Sequence, residues 1–196
     1  IVSIVIIALL IFKYNETSKE RDVLEQQVAS YLGISDLYNK DKVAARIEIV
    51  LEEARLSKIK AFVKKTNPKL SYTKADEIVS LEKKYSVAYN VPLERGLAVT
   101  LTESRFIPGA VSPTGPIGLK QIASTYWAKQ CKTSANGLYN VETNIRCGYY
   151  ILATHYAATG DWGKVSERYY GGTPNENRVY RELIERNRKL VIKSIT

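Results

Sequence analysis

The chain has one histidine, two cysteines and no methionine, and its one long apolar run, residues 1–12, stops at Lys13. Each shortage excludes something. With His155, Cys131 and Cys147 as the whole supply of nitrogen and sulfur ligands, a four-ligand zinc centre is out of reach, so no metal is expected, and nothing in the sequence asks for a cofactor. The apolar run is shorter than the roughly 20 residues that a helix needs to cross a bilayer. No small-residue cleavage site follows it in Phe12-Lys13-Tyr14-Asn15-Glu16, so it reads as part of a longer retained anchor rather than as a signal peptide. Sustained period-two alternation, internal repeats and low-complexity tracts are all missing, which leaves an all-α fold. A further absence bears on chemistry: residues 104–141 contain no Asp or Glu.

Positive charge, by contrast, is plentiful, with a formal net charge of +9 and a pI near 9.4. Such a surface attracts polyanions, from nucleic acid to anionic wall polymers. No nucleic-acid-binding motif accompanies it, so no nucleic-acid partner is expected. Arg178, Arg181, Arg186, Arg188 and Lys189 alternate with Glu182 and Glu185, the pattern of a solvated helix face. Two states fit Cys131 and Cys147: a disulfide in an exported domain, or a pair of buried thiols. His155, mid-helix in a Tyr/Ala-rich run, reads as a packed residue.

Helical periodicity organises the rest. Leu24, Val28 and Tyr31 recur at helical spacing, as do Val43, Ile47, Val50 and Ala54, and their narrow stripes suit a stalk, a short coiled coil or a layer on the next domain. Asn67-Pro68 breaks the pattern, and Thr73-Lys74-Ala75-Asp76 has the arrangement of a capping box. Three segments follow: an anchor at residues 1–13, a helical stalk or linker at 14–67, and a folded domain at 68–196. Within the last, Ile78, Leu81, Tyr85 and Ala88 share a helix face. Asn90-Val91-Pro92-Leu93 then turns the chain into a second helix.

That second helix carries the residue with the clearest chemical meaning. Leu97-Ala98-Val99-Thr100-Leu101-Thr102 leads into Glu103, which is followed by Ser-Arg-Phe-Ile-Pro. An apolar setting disfavours the ionised carboxylate, and so does the negative end of the helix dipole, so Glu103 is expected to hold its proton near neutral pH. A general acid needs that property. The turn-rich stretch Ser112-Pro113-Thr114-Gly115-Pro116-Ile117-Gly118-Leu119-Lys120-Gln121 is expected to fold back over Glu103, with an amphipathic helical pattern resuming at Gly118.

These motifs resemble those of lytic transglycosylases with the goose-type lysozyme-like (SLT) domain: Glu-Ser-x-Phe-x-Pro, then Ser-x-x-Gly-Ala-x-Gly-Leu-Met-Gln at the same spacing. Pro116 replaces the usual Ala, and Lys120 replaces the usual Met, putting a cation where substrate or solvent would touch it. Further downstream, Asn144-Ile145-Arg146-Cys147-Gly148-Tyr149-Tyr150-Ile151-Leu152 is similar to the family's Asn-Ile-x-x-Gly-x-x-Tyr-Leu helix, whose glycine permits close helix packing. Arg168-Tyr169-Tyr170-Gly171-Gly172 stands at Ala-Tyr-Asn-x-Gly, and Glu176-Asn177-Arg178-Val179-Tyr180 at Glu-Thr-Arg-x-Tyr. Together the matches cover roughly the last two thirds of the chain.

The resemblance implies a lysozyme-like helical domain that cleaves the bond between N-acetylmuramic acid and N-acetylglucosamine in peptidoglycan glycan strands. It implies Glu103 as acid and then base, and Tyr180 as the tyrosine that orients it. Gln121 and Ser112 are implied as hydrogen-bonding partners of sugar or stem peptide, with Tyr169 and Tyr170 lining the groove; Tyr170 replaces the family's Asn, which helps hold the N-acetyl side. Glycosidic cleavage ordinarily uses two carboxylates. Their absence from residues 104–141 suits the transglycosylase route, in which the substrate's own N-acetyl group assists and a 1,6-anhydro product forms. A hydrolytic muramidase would instead need Asp161, Glu142 or Glu167 to position water. A third reading is a wall-binding component of an envelope-spanning machine with a weakened site. The anchor implies a membrane partner, with the domain on the periplasmic or cell-wall side, or in a virion for a phage protein.

Overall fold

The computed structural model of the chain describes residues 40–195, and side chains from residue 45 onward. The expected anchor and the helix read from Leu24, Val28 and Tyr31 lie outside the described residues. Among the described residues there are seven α-helices, one 3-10 turn at Asn136–Tyr139 and no strand; the helices are α1 (Lys40–Thr66), α2 (Tyr72–Ala88), α3 (Leu93–Ser104), α4 (Ser124–Trp127), α5 (Val141–Thr159), α6 (Trp162–Tyr170) and α7 (Pro174–Ile195). None of the described helices is long and apolar enough to cross a membrane.

The chain divides into two compact units, Ile1–Arg55 and Leu56–Thr196. In the first, the described part is helical, with Ile47 and Val50 partly covered and Ile49 exposed. The second contains the last turns of α1, where Ile59 and Val63 are fully buried and join the main core with Ile78, Leu97, Phe106 and Tyr149. Truncating a fully buried leucine such as Leu97 to alanine costs about 2–5 kcal/mol in cores of this kind. A smaller core of Ile117, Ile122, Leu138 and Ile151 surrounds Cys131 and Cys147, which are joined in a disulfide with Cα atoms 5.3 Å apart.

Local chemistry explains where the helices begin. Ser71 caps α2, its hydroxyl accepting from the Lys74 amide at 3.0 Å, so the cap falls two residues before the expected Thr73, which lies inside the first turn. Asn140 caps α5 and Asp161 caps α6 in the same manner. α3 begins at Leu93 after Pro92, whose fixed φ suits a helix entry.

α3 ends in an unusual turn. Arg105 and Phe106 both have positive φ, 50° and 62°, a left-handed pair without glycine immediately after the helix that carries Glu103. The arrangement is held from outside: the Phe106 ring is fully buried and meets Phe62 edge-on, and Asn67 Nδ2 donates to the Phe106 carbonyl at 2.9 Å. Around α3, α7 and α2 pack directly, while α5 joins α2 to α6 and α6 joins α5 to α7. The end of α3 therefore opens between α6, α7 and the loop that precedes α4.

Candidate active site

Glu103 is the penultimate residue of α3 and is partly buried. The buried Tyr180 on α7 reaches it from behind, its hydroxyl donating to Glu103 Oε1. Burial raises the Glu103 pKa to about 7 against the opposing pull of the Tyr180 hydrogen bond and of the nearby Lys120 cation. At neutral pH the group therefore exists in both protonation states. Tyr180 itself is pushed well above the usual tyrosine range, by burial first and by the Glu103 charge second, so it remains a proton donor.

A cleft of about 460 Å³ opens over this carboxyl, with Ser112, Gln121, Trp127, Tyr169 and Tyr170 in its lining. Of the residues that the resemblance implies for the site, Glu103, Ser112, Gln121, Tyr169 and Tyr170 line it. Tyr180 lies behind Glu103, with the half-exposed Tyr170 ring stacked on it at 4.9 Å and 23°. Tyr169 lines the cleft with its ring and spends its hydroxyl on the Lys120 carbonyl at 2.8 Å. Ser112 also lines it, but its hydroxyl sits 3.0 Å from Thr114 Oγ1 within its own turn. Gln121 is held in the left-handed region (φ 46°), and its side-chain NH2 donates to the Ala110 and Gly118 carbonyls at 3.1 and 2.9 Å.

The loop itself differs from the expected resumption of helix at Gly118. Residues 118–122 form turns, closed by reciprocal backbone hydrogen bonds between Ile117 and Ile122, and helix resumes only at Ser124. The cause is Asn144 on α5. Its Oδ1 accepts from the Lys120 amide at 2.8 Å while its Nδ2 donates to the carbonyls of Ile117 and Leu138, so the loop's polar groups are satisfied by a side chain rather than by helical neighbours. Gly118, at φ 80°, lies so close that a Cβ there would fall 2.3 Å from Asn144 Nδ2.

Lys120 departs furthest from expectation. It touches neither cleft nor solvent: the side chain is fully buried and its ammonium pairs with Glu82 on α2. Gly148, expected to let helices approach, makes room for this lysine, since a Cβ at that position would lie 2.6 Å from Lys120 Cγ. The sequence motifs do not single out Glu82. The signal was present, because Glu82 shares the stripe of Ile78 and Tyr85, and a carboxylate on an apolar stripe requires a partner.

The three carboxylates that a hydrolytic route would draw on are engaged elsewhere. Glu142 accepts from Lys84 and Tyr85 at 2.6 and 2.8 Å, Asp161 caps α6, and Glu167 pairs with Arg181 at 2.7 Å. Among the described residues, Glu103 is the one carboxylate that lines the cleft, and no group of side chains is arranged to hold a metal. His155 packs edge-on to Trp127 at 5.5 Å, with its pKa lowered by burial. The basic face of α7 is partly neutralised by Arg178–Glu182 and Arg188–Glu185 pairs.

Among the described residues, an all-helical domain with one carboxyl lining an aromatic and hydrogen-bonding cleft has a lysozyme-like architecture. Residues 80–192, more than half of the chain, match the family model described as the Transglycosylase SLT domain, and the chain belongs to that family. A comparison with curated proteins found no match. Membership gives the domain a peptidoglycan substrate and a lysozyme-like action on it.

Proposed function

We propose that the protein is a lytic transglycosylase that cleaves the β-1,4 bond between N-acetylmuramic acid and N-acetylglucosamine and closes the muramic residue into its 1,6-anhydro form. The observation that carries this reading is Glu103, with a pKa near 7, as the one carboxylate among the described residues that lines the cleft. One group must both give and take a proton, and a group half-ionised at neutral pH does both.

In the first step Glu103 donates its proton to the bridging oxygen as the bond from that oxygen to muramic C1 breaks. The N-acetyl carbonyl oxygen of the substrate supports the electron-poor C1, in place of the protein nucleophile of a two-carboxylate enzyme. The Glu103 carboxylate then takes the proton of the muramic C6 hydroxyl, and O6 bonds to C1. Glu103 ends protonated, and no water is consumed. Tyr180 keeps the acting oxygen in place by donating to Oε1. Tyr169 and Tyr170 supply ring surface to the sugars, and Gln121, with both amide hydrogens committed to the loop, offers its remaining amide oxygen. Ser112, whose oxygen is already engaged by Thr114, has its hydroxyl hydrogen to offer substrate when Thr114 is the donor of that contact.

The Cys131–Cys147 disulfide supports an exported setting, where such bonds persist and where peptidoglycan lies. The apolar segment at residues 1–12 is the proposed tether to the membrane. Mass spectrometry of sugars released from purified peptidoglycan by the full chain tests the reaction. Anhydromuramic ends that disappear with Glu103→Gln are expected; hydrated reducing ends would overturn it.

A further inference from the structure

The loop that carries Gln121 meets α3 along a single line of residues. Gly96, Thr100 and Ser104 recur every four positions and so share a helix face. Ser104 Oγ donates to the Leu119 carbonyl at 2.9 Å, Thr100 Oγ1 donates to Glu82 Oε1 at 2.6 Å, and the Gly96 carbonyl accepts from Lys120 Nζ at 2.7 Å. The Lys120 side chain therefore runs along the buried face of the helix whose next-to-last residue is Glu103. Its stem fills the space over Gly148, and Nζ lies 3.0 Å from both Glu82 oxygens and 4.6 Å from the Tyr149 ring centroid. Neither Lys120 nor Glu82 exposes any surface.

Burying two ions costs several kcal/mol each before their attraction is counted, and apolar residues of similar volume commonly stabilise a core as well or better. Stability alone is therefore a poor reason for an ion pair here. Glu103 is in hydrogen-bond contact with Tyr180 from α7, feels the charge of Lys120 from the loop and acts in turn on Tyr169 from α6; Lys120 is in contact with Glu82 from α2, the Gly96 carbonyl of α3 and the Tyr149 ring of α5. Lys120 is the one cation among the groups that shift Glu103, and it favours the carboxylate.

We propose that Lys120 is a positioning residue for Glu103: its buried ammonium, held by Glu82 and the Gly96 carbonyl, straps the loop to α3 and supplies the charge that keeps the Glu103 carboxylate accessible during turnover. This rests on Glu103 acting as both acid and base. The Tyr180 hydroxyl favours the carboxylate by hydrogen bonding, and among the described residues the lysine is the group that offsets burial with a full charge. Without it the acid step would survive while the proton-accepting step weakened.

Two measurements on the full chain decide it. In wild-type protein, 15N NMR of the Lys120 ammonium is expected to show a charged group throughout the titration of Glu103; a neutral Lys120 at pH 7 would overturn the proposal. In Lys120→Met/Glu82→Gln, which removes both charges and leaves an amide to meet Thr100 and Gly96, 13C NMR is expected to place the Glu103 carboxyl midpoint about 0.5–1 pH unit higher. The basic limb of kcat/KM on peptidoglycan should move upward by the same amount. An unmoved midpoint in the folded double variant would reduce the pair to a packing device. The titrations do not depend on turnover, so an inactive wild-type protein would sink the transglycosylase reading without deciding the role of Lys120.

Discussion

Two buried carboxyls, Glu82 and Glu103, lie on neighbouring helices and meet opposite treatment. Glu82 has Lys120 at 3.0 Å and the Thr100 hydroxyl at 2.6 Å, is sealed from solvent, and has no cleft in front of it. Glu103 has a tyrosine hydroxyl, a more distant share of the same lysine, and an open cleft. A cation in direct contact converts a buried carboxylate into structure, and the same cation acting without contact leaves a carboxyl that exchanges its proton near neutrality. The chemistry of the site is set as much by where Lys120 points as by Glu103 itself.

Changing each carboxyl in turn separates the two roles. Glu103→Gln should lower turnover of peptidoglycan about a thousandfold or more while the fold persists, as followed by product release and circular dichroism. The same variant should be more stable than wild type above pH 7. The native state binds the Glu103 proton more tightly than the unfolded chain, so this contribution is fully present below about pH 4.5 and is lost as pH rises to about 7, a difference of roughly 3 kcal/mol in urea unfolding. Glu82→Ala should do the reverse. It strands the Lys120 ammonium in the core and should cost about 3–5 kcal/mol of stability, also read by urea unfolding. A Glu82 variant that folds normally and loses only rate would break the contrast.

Smaller effects refine it. Reducing Cys131–Cys147 opens a loop of sequence separation 16 and should cost about 3 kcal/mol, seen as a lower urea midpoint. The pH profile of kcat/KM should fall on its basic side with a midpoint near 7, because the free enzyme must hold the Glu103 proton to start the reaction. Tyr180→Phe removes a hydrogen bond that favours the carboxylate, so the midpoint should move upward, with activity at neutral pH reduced about tenfold through loss of orientation.

Much of the acid's environment was legible in the order of residues. An apolar helix ending in Glu-Ser-Arg-Phe-Ile-Pro announces a carboxyl that burial will protonate, and the Gly/Pro-rich stretch announces a loop. Tyr180 became visible through its motif rather than through physics, since 77 residues separate it from its partner Glu103. What escaped was long-range polar pairing. Lys120 follows Leu119 and precedes Gln121 in a segment whose spacing imitates a helix, and a lysine in such a pattern reads as facing substrate or solvent; its partner lies 38 residues away. The turn after α3 escaped for a related reason. Positive φ at Arg105 and Phe106 is imposed by the buried Phe106 ring and by Asn67, not by local preference.

The central claim, that one carboxyl both cleaves and recloses, is tested most directly by digesting purified peptidoglycan with the full chain in 18O-enriched water and examining the muramic ends by mass spectrometry. Anhydro ends free of 18O are predicted, because O6 of the sugar itself closes on C1. Reducing ends carrying 18O at C1 would contradict the account, showing that water rather than O6 attacks.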